Sequence, residues 1–90
     1  MKTGDLEYSV LLIGSGKLAG HLQTYFAMLR VNFQTWNRKQ DEKTLQQLVH
    51  NKTHIYLAIA DFAIKSFYQK WQHLFSGKVV VHFSGALHIE

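Results

Sequence analysis

"VLLIGSGKLAGHL", residues 10–22, runs an apolar segment into Gly14-Ser15-Gly16 and straight out into a helix-like pattern. The four residues before the glycines, Val10, Leu11, Leu12 and Ile13, are a continuous rather than alternating apolar run, as a strand buried on both faces requires. Beyond the glycines, Leu18, Leu22, Tyr25 and Leu29 recur at helical spacing. In a strand-turn-helix context Gly14 allows the tight turn, Gly16 lets a backbone approach a pyrophosphate with no side chain in the way, and Ala19, with Gly20 beside it, keeps the helix close to the sheet. The start of the helix offers unpaired amides and a positive dipole end to phosphates. Ser15, Lys17 and Leu18 therefore join Gly14 and Gly16 as candidate cofactor-binding residues. A tight turn with no ligand is the competing reading. A triphosphate-binding P-loop is disfavoured, because Gly16-Lys17 has no glycine at the required upstream spacing and Leu18 stands where Ser or Thr would hold magnesium.

Outward from this turn the chain repeats the same alternation. Residues 8–13, 31–36, 54–59 and 78–83 read as short strands rich in branched or aromatic side chains. Between them lie three helical patterns: the one above, a short face of Leu45, Leu48 and Val49 starting near Asp41 or Lys43-Thr44, and a stronger one of Ile64, Phe67, Trp71 and Leu74 with Asp61 placed to cap it. The pattern β-α-β-α-β-α-β implies right-handed crossovers and a parallel sheet covered on both faces, a three-layer α/β fold. Ninety residues fit one domain, with no repeat, low-complexity segment or linker to divide 1–90.

Composition narrows the partners. The chain has no cysteine, which excludes disulfides and thiolate metal sites. Ten Lys and Arg against six Asp and Glu give +4, a mild excess that suits phosphate-bearing ligands, but no basic stripe is interleaved with aromatics as a nucleic-acid surface requires. No apolar run approaches ~18 residues and the first residues lack a signal-peptide core, so no membrane association is expected and a cytoplasmic location is the default. Six histidines raise a metal site, but His50 and His54 straddle a helix end, His82 and His88 flank a turn, and no carboxylate completes a set; no metal is expected. No Ser-His-Asp arrangement can be argued from Ser84 and His82. The catalytic residues stay unknown.

Three further strand ends carry candidate residues. At the end of the second strand, about 20 residues beyond the glycines, a protein selecting NAD places an acid, and one selecting NADP a cation for the 2′-phosphate. Here Asn37, Arg38 and Lys39 supply an amide and two positive charges, so the expected cofactor is NADP before NAD. A solvated basic turn is the competing reading. At the end of the third strand, small Ala58 and Ala60 allow a ligand to lie across the chain, and Ala60 and Asp61 are candidates, the Asp61 side chain chiefly as a helix cap. At the end of the fourth, Ser84 and Gly85 lie on the edge where ligands of open parallel sheets collect.

Gly14-Ser15-Gly16-Lys17-Leu18-Ala19, Trp36-Asn37-Arg38, Ala58-Ile59-Ala60-Asp61 and His82-Phe83-Ser84-Gly85-Ala86-Leu87 together resemble the Rossmann-like N-terminal domain of an oxidoreductase family related to 6-phosphogluconate dehydrogenase, prephenate dehydrogenase, pyrroline-5-carboxylate reductase and the F420-dependent NADP reductases. The resemblance runs from about residue 8 to residue 87, with Ala60 where the relatives usually carry proline. It implies NADP bound at the glycine turn, with Asn37 and Arg38 at the adenosine phosphate. It also implies a four-stranded sheet of order 2-1-3-4 with three helices and the cofactor crevice between strands one and three; order 3-2-1-4 is the alternative. The long helical C-terminal domain that completes the substrate pocket and dimer interface of such enzymes has no counterpart in these residues. The expected function is thus a cofactor domain without a complete substrate site. The alternative is a non-catalytic nucleotide-binding or protein-interaction module that keeps the fold. In this order the segment from Lys78 to Phe83 is an apolar edge, so a homodimer through it, or through the helix bearing Phe67, Tyr68, Trp71 and Phe75, is expected.

Overall fold

The computed structural model of the chain describes residues 8–83. Seven regular elements and one short 3-10 turn follow in the expected alternation: β1 (Ser9–Ile13), α1 (Lys17–Met28), β2 (Asn32–Trp36), α2 (Glu42–Val49), β3 (His54–Leu57), α3 (Asp61–Trp71) continued by the 3-10 turn Gln72–Leu74, and β4 (Val79–His82). The strands form one four-stranded sheet of order β2-β1-β3-β4, every pairing parallel. Order 2-1-3-4 is therefore the observed one, and 3-2-1-4 is not. β1 lies in the middle, flanked by β2 and β3, and all five of its residues are buried.

The period of two along each strand divides the core. Leu11 and Ile13 of β1 and Ile55 and Leu57 of β3 point to one face, where Leu45 and Val49 of α2 and Trp71 and Phe75 after them close over the sheet. Leu12 points to the other face and meets Ala19, Leu18 and Leu22 of α1, together with Ala58 and Tyr56. Two helices thus cover one face and a single helix the other. Phe67 packs against the first cluster, and Trp71 and Phe75 are buried in it. Of the helical face expected as a second dimer surface, only Tyr68 is exposed.

The helix ends follow local chemistry. Asp41 caps α2: its Oδ1 accepts from the Thr44 amide at 2.8 Å and from the Thr44 hydroxyl at 2.6 Å. These bonds hold the Asp41 carboxyl below its ordinary value. α3 departs from expectation, since its cap is Ala60 (φ −60°, ψ 146°) and Asp61 is its first helical residue. There the carboxylate still favours the positive end of the helix dipole, which is why the sequence rule for caps misplaces it by one. α1 closes in a Schellman arrangement, with Arg30 in the left-handed region (φ 59°), its amide donating to Ala27 O and the Val31 amide to Phe26 O. An L side chain is strained in that conformation, so Arg30→Gly should stabilise the protein by about 0.5–1 kcal/mol in a urea titration despite the greater freedom glycine adds to the unfolded chain.

Lys52, only 4% exposed, sits at the amino end of the sheet and donates from Nζ to Gln34 Oε1 (2.6 Å) and Asn51 Oδ1 (2.8 Å), tying the α2–β3 loop to β2. Lys78 donates to the carbonyls of Lys52 (2.6 Å) and His50 (3.3 Å), which fixes the start of β4 to the same loop. Burial, and then the nearby Lys78 charge, lower the Lys52 ammonium from its ordinary value.

On the single-helix face, the Tyr56 and Tyr8 hydroxyls lie 3.4 Å apart. That contact, with burial adding to it, pushes the Tyr56 phenol up to about 12 from 10.0. The unfolded chain then loses this proton first, so Tyr56 makes stability fall as pH rises from 10 toward about 12. Ultraviolet phenolate titration should show the Tyr56 phenol ionising late, and Tyr56→Phe should remove that late step and flatten the loss of stability.

Candidate functional site

The sheet's register brings the strand ends level. Ile13 pairs with both Trp36 and Leu57, and Leu57 with His82, so the chain leaves β1, β2, β3 and β4 along one edge. Two main-chain bonds lock the first three exits together: Gly14 N–H donates to Trp36 O at 2.9 Å, and Ala58 N–H donates to Ile13 O at 2.8 Å. The turns carrying Gly14-Ser15-Gly16, Asn37-Arg38-Lys39 and Ala60-Asp61 are therefore neighbours. α1 and α3 leave this edge over opposite faces of the sheet, so the chain diverges between β1 and β3. Ligands of open parallel sheets collect at such a switch point. Ser84 and Gly85 lie outside the described residues.

The two glycines of the turn differ physically. Gly14 is buried at φ +142°, and a Cβ there would overlap the Ala58 carbonyl group, lying 2.9 Å from its carbon. The fold itself requires glycine at this position. Gly16 is exposed, adopts the extended conformation open to any residue (φ −84°, ψ −161°), and a Cβ on it would meet no atom within 4 Å. The protein's own packing gives no reason for glycine there. Gly16 is also the cap of α1, no side chain bonds the first-turn amides, and the first turn carries no acidic residue. Lys17 and Ser15 are exposed beside these amides, whereas the Leu18 side chain packs into the cluster around Leu12, so its amide is what it presents to the turn.

The β2 exit is built to hold its basic residues in place. Asn37 Oδ1 accepts from the Lys39 amide (2.9 Å), Gln40 Oε1 accepts from the Asn37 amide (3.0 Å), and the Gln40 amide donates to Asn37 O (2.9 Å). The buried Trp36 indole donates to Asp41 O at 3.0 Å, closing the loop onto the cap of α2. Arg38 and Lys39 project from this loop into solvent, and the ion pair found among the described residues, Lys70–Glu42 at 2.8 Å, involves neither. The Asn37 carboxamide oxygen is taken by the loop, which leaves its NH2 group as the donor it can offer.

Sequence reasoning missed two parts of this edge. One is the Trp36–Asp41–Gln40 clamp, whose legible fragment is the Asp-x-x-Thr spacing of the cap. The other is Phe62, which stands 89% exposed in the first turn of α3 beside Ala60 and Asp61. Its signal was a large apolar residue lying off the helical stripe of Ile64, Phe67 and Trp71. Concavities of about 560 and 520 Å³ lie between α3 and β4, reaching Leu57 and His82 at the strand ends, and on the outer side of α1. No group of three or more His, Asp or Glu side chains comes together among the described residues, and none of their helices is long and apolar enough to cross a membrane. Comparison of the chain with family models, curated proteins and solved structures returned no match.

Proposed function

We propose that the chain binds NADP(H) through the Gly14–Gly16 turn, as the cofactor domain of an oxidoreductase whose substrate site these residues do not complete. The observation that carries the reading is Gly16: a glycine that neither backbone conformation nor packing demands, at a helix start with no side-chain cap bond and no acid in its first turn. Such a position makes physical sense where something outside the chain must come close to the backbone. The amides of Lys17 and Leu18 would meet the pyrophosphate, Lys17 adds a positive charge, and Arg38, with Lys39 beside it, would hold the adenosine 2′-phosphate. Asn37 NH2 would donate to the same ribose, and the backbone at Ala60 and Asp61 borders the crevice. NADP(H), when bound, supplies hydride transfer; the chain's own residues bind and orient it.

Isothermal titration with NADP, NADPH and NAD tests this. The two phosphorylated dinucleotides should bind with dissociation constants of about micromolar order and NAD less tightly. Gly16→Val should keep stability within about 1 kcal/mol yet weaken NADP by about tenfold or more, because its side chain fills only the space the ligand would use. A folded wild-type chain that binds none of the three would overturn the reading in favour of a protein-interaction module.

A further inference from the structure

We infer that the groove between α3 and β4 binds an amphipathic carboxylate, with its apolar body on the groove floor and its charge at Lys65. The inference is independent of any ligand at the glycine turn. The groove originates in the aromatic residues of α3. Phe67 meets the Trp36 ring at 6.3 Å, and Trp71 is buried in the same core, so α3 is drawn toward the β2 side of the sheet and away from β4. The space left beside β4 is about 560 Å³, within the range that takes a small organic ligand. Leu57, Ile64 and Val80 make its floor apolar. Tyr68 forms one wall, and its ring lies 6.0 Å from that of Phe75, which holds the wall in place before any ligand arrives. Lys65, Gln69 and Gln72, at successive turns of the chain, form the rim. The rise from Lys65 to Gln72 is about 10 Å, which sets the length of ligand that the groove can follow.

Charge selects the class of ligand. Among the described residues no acidic side chain borders the groove, and Lys65 stands exposed on its rim. Asp61, one turn before Lys65 on the helix, does not line the groove and keeps its Oδ1 buried. The Lys70–Glu42 pair lies elsewhere, and the side chains of Lys65, Gln69 and Gln72 bond to no neighbour among the described residues. A cation and two carboxamides above an apolar floor complement a molecule that is apolar over most of its length and anionic at one end. An amine would meet Lys65 with like charge, and a neutral chain would leave the attraction of its ammonium unused. Because Lys65 lies near the start of α3, the carboxylate sits toward the carboxyl ends of the strands and the apolar chain runs from there toward Gln72.

Octanoate, octanol and octylamine are nearly equal in length and differ in charge, and amide chemical-shift titration of the isotope-labelled chain measures the binding of each. Octanoate should bind with a dissociation constant of about millimolar order or below, about three- to tenfold tighter than octanol and tighter still than octylamine. The largest shifts should fall at Ile64, Tyr68 and Val80. Lys65→Glu alters an exposed side chain and leaves the fold in place. It should reverse the order of octanoate and octylamine while octanol stays within about twofold of its wild-type affinity. No octanoate binding up to about 10 mM, shifts centred outside the groove, or a preference for octanoate that Lys65→Glu leaves intact would each overturn the inference. The last result would trace the preference to the net charge of +4 rather than to the groove.

Discussion

Gly14→Ala should cost about 3–5 kcal/mol, enough to leave much of the chain unfolded at room temperature, because strain at a positive φ adds to a direct overlap with backbone. The added methyl would strike the Ala58 carbonyl group, which cannot turn aside: the Ala58 amide is bonded to Ile13 O, and the Gly14 amide to Trp36 O. Relief would require separating the exits of β1 and β3, the pairing that centres the sheet. Thermal or urea denaturation of the two forms measures this. The contrast with Gly16 is the informative part. Two glycines separated by a single serine should respond oppositely, the first through stability with or without dinucleotide, the second chiefly through dinucleotide binding.

Removing the Arg38 guanidinium should weaken NADP by about 10- to 100-fold while changing NAD affinity little, since a hydrogen bond to a charged group contributes about 1.5–3 kcal/mol and only NADP carries the phosphate. Arg38 is exposed, and its loop is held by bonds among Trp36, Asn37, Lys39, Gln40 and Asp41 in which its side chain takes no part. Arg38→Ala should therefore stay within about 0.5 kcal/mol of wild-type stability. Arg38→Lys keeps the charge but loses the planar fork and should fall between the two. Calorimetric titration of both variants with NADP and NAD makes the comparison. Equal weakening of the two dinucleotides would mean that Arg38 acts through the general positive potential of the edge and holds no 2′-phosphate.

The alternation of strands and helices was legible because each strand is a short apolar run and each helix carries its own stripe. The strand order came from a family resemblance rather than from the residues alone. Boundaries were less legible. The third strand reads as 54–59 in the sequence, but it ends at Leu57: Ala58 makes the last bond to β1, and Ile59 is apolar because it packs on the core after the chain has turned away. Asp61 was read as a cap and stands one residue inside the helix, since Ala60 takes the extended conformation. The positions of the candidate residues at the turns were visible; what holds them was not. The bonds from Trp36 to Asp41 and from Gln40 to Asn37 depend on a loop geometry that no residue pattern encodes, and the exposure of Phe62 depends on what surrounds it.

The place of β1 has a consequence for how the molecule assembles. It is the earliest strand among the described residues and one of the two inner strands of the sheet, and its partner on one side, β3, begins at residue 54. The contacts that bury it on both sides are thus long-range, and the loop-closure entropy must be met before they form. As the chain emerges during synthesis, β1 and β2 can join through α1 first, and the most apolar strand of the protein waits with one side open until β3 arrives. The close approach of Gly14 to the Ala58 carbonyl can form only at that moment, because that carbonyl comes with the same strand.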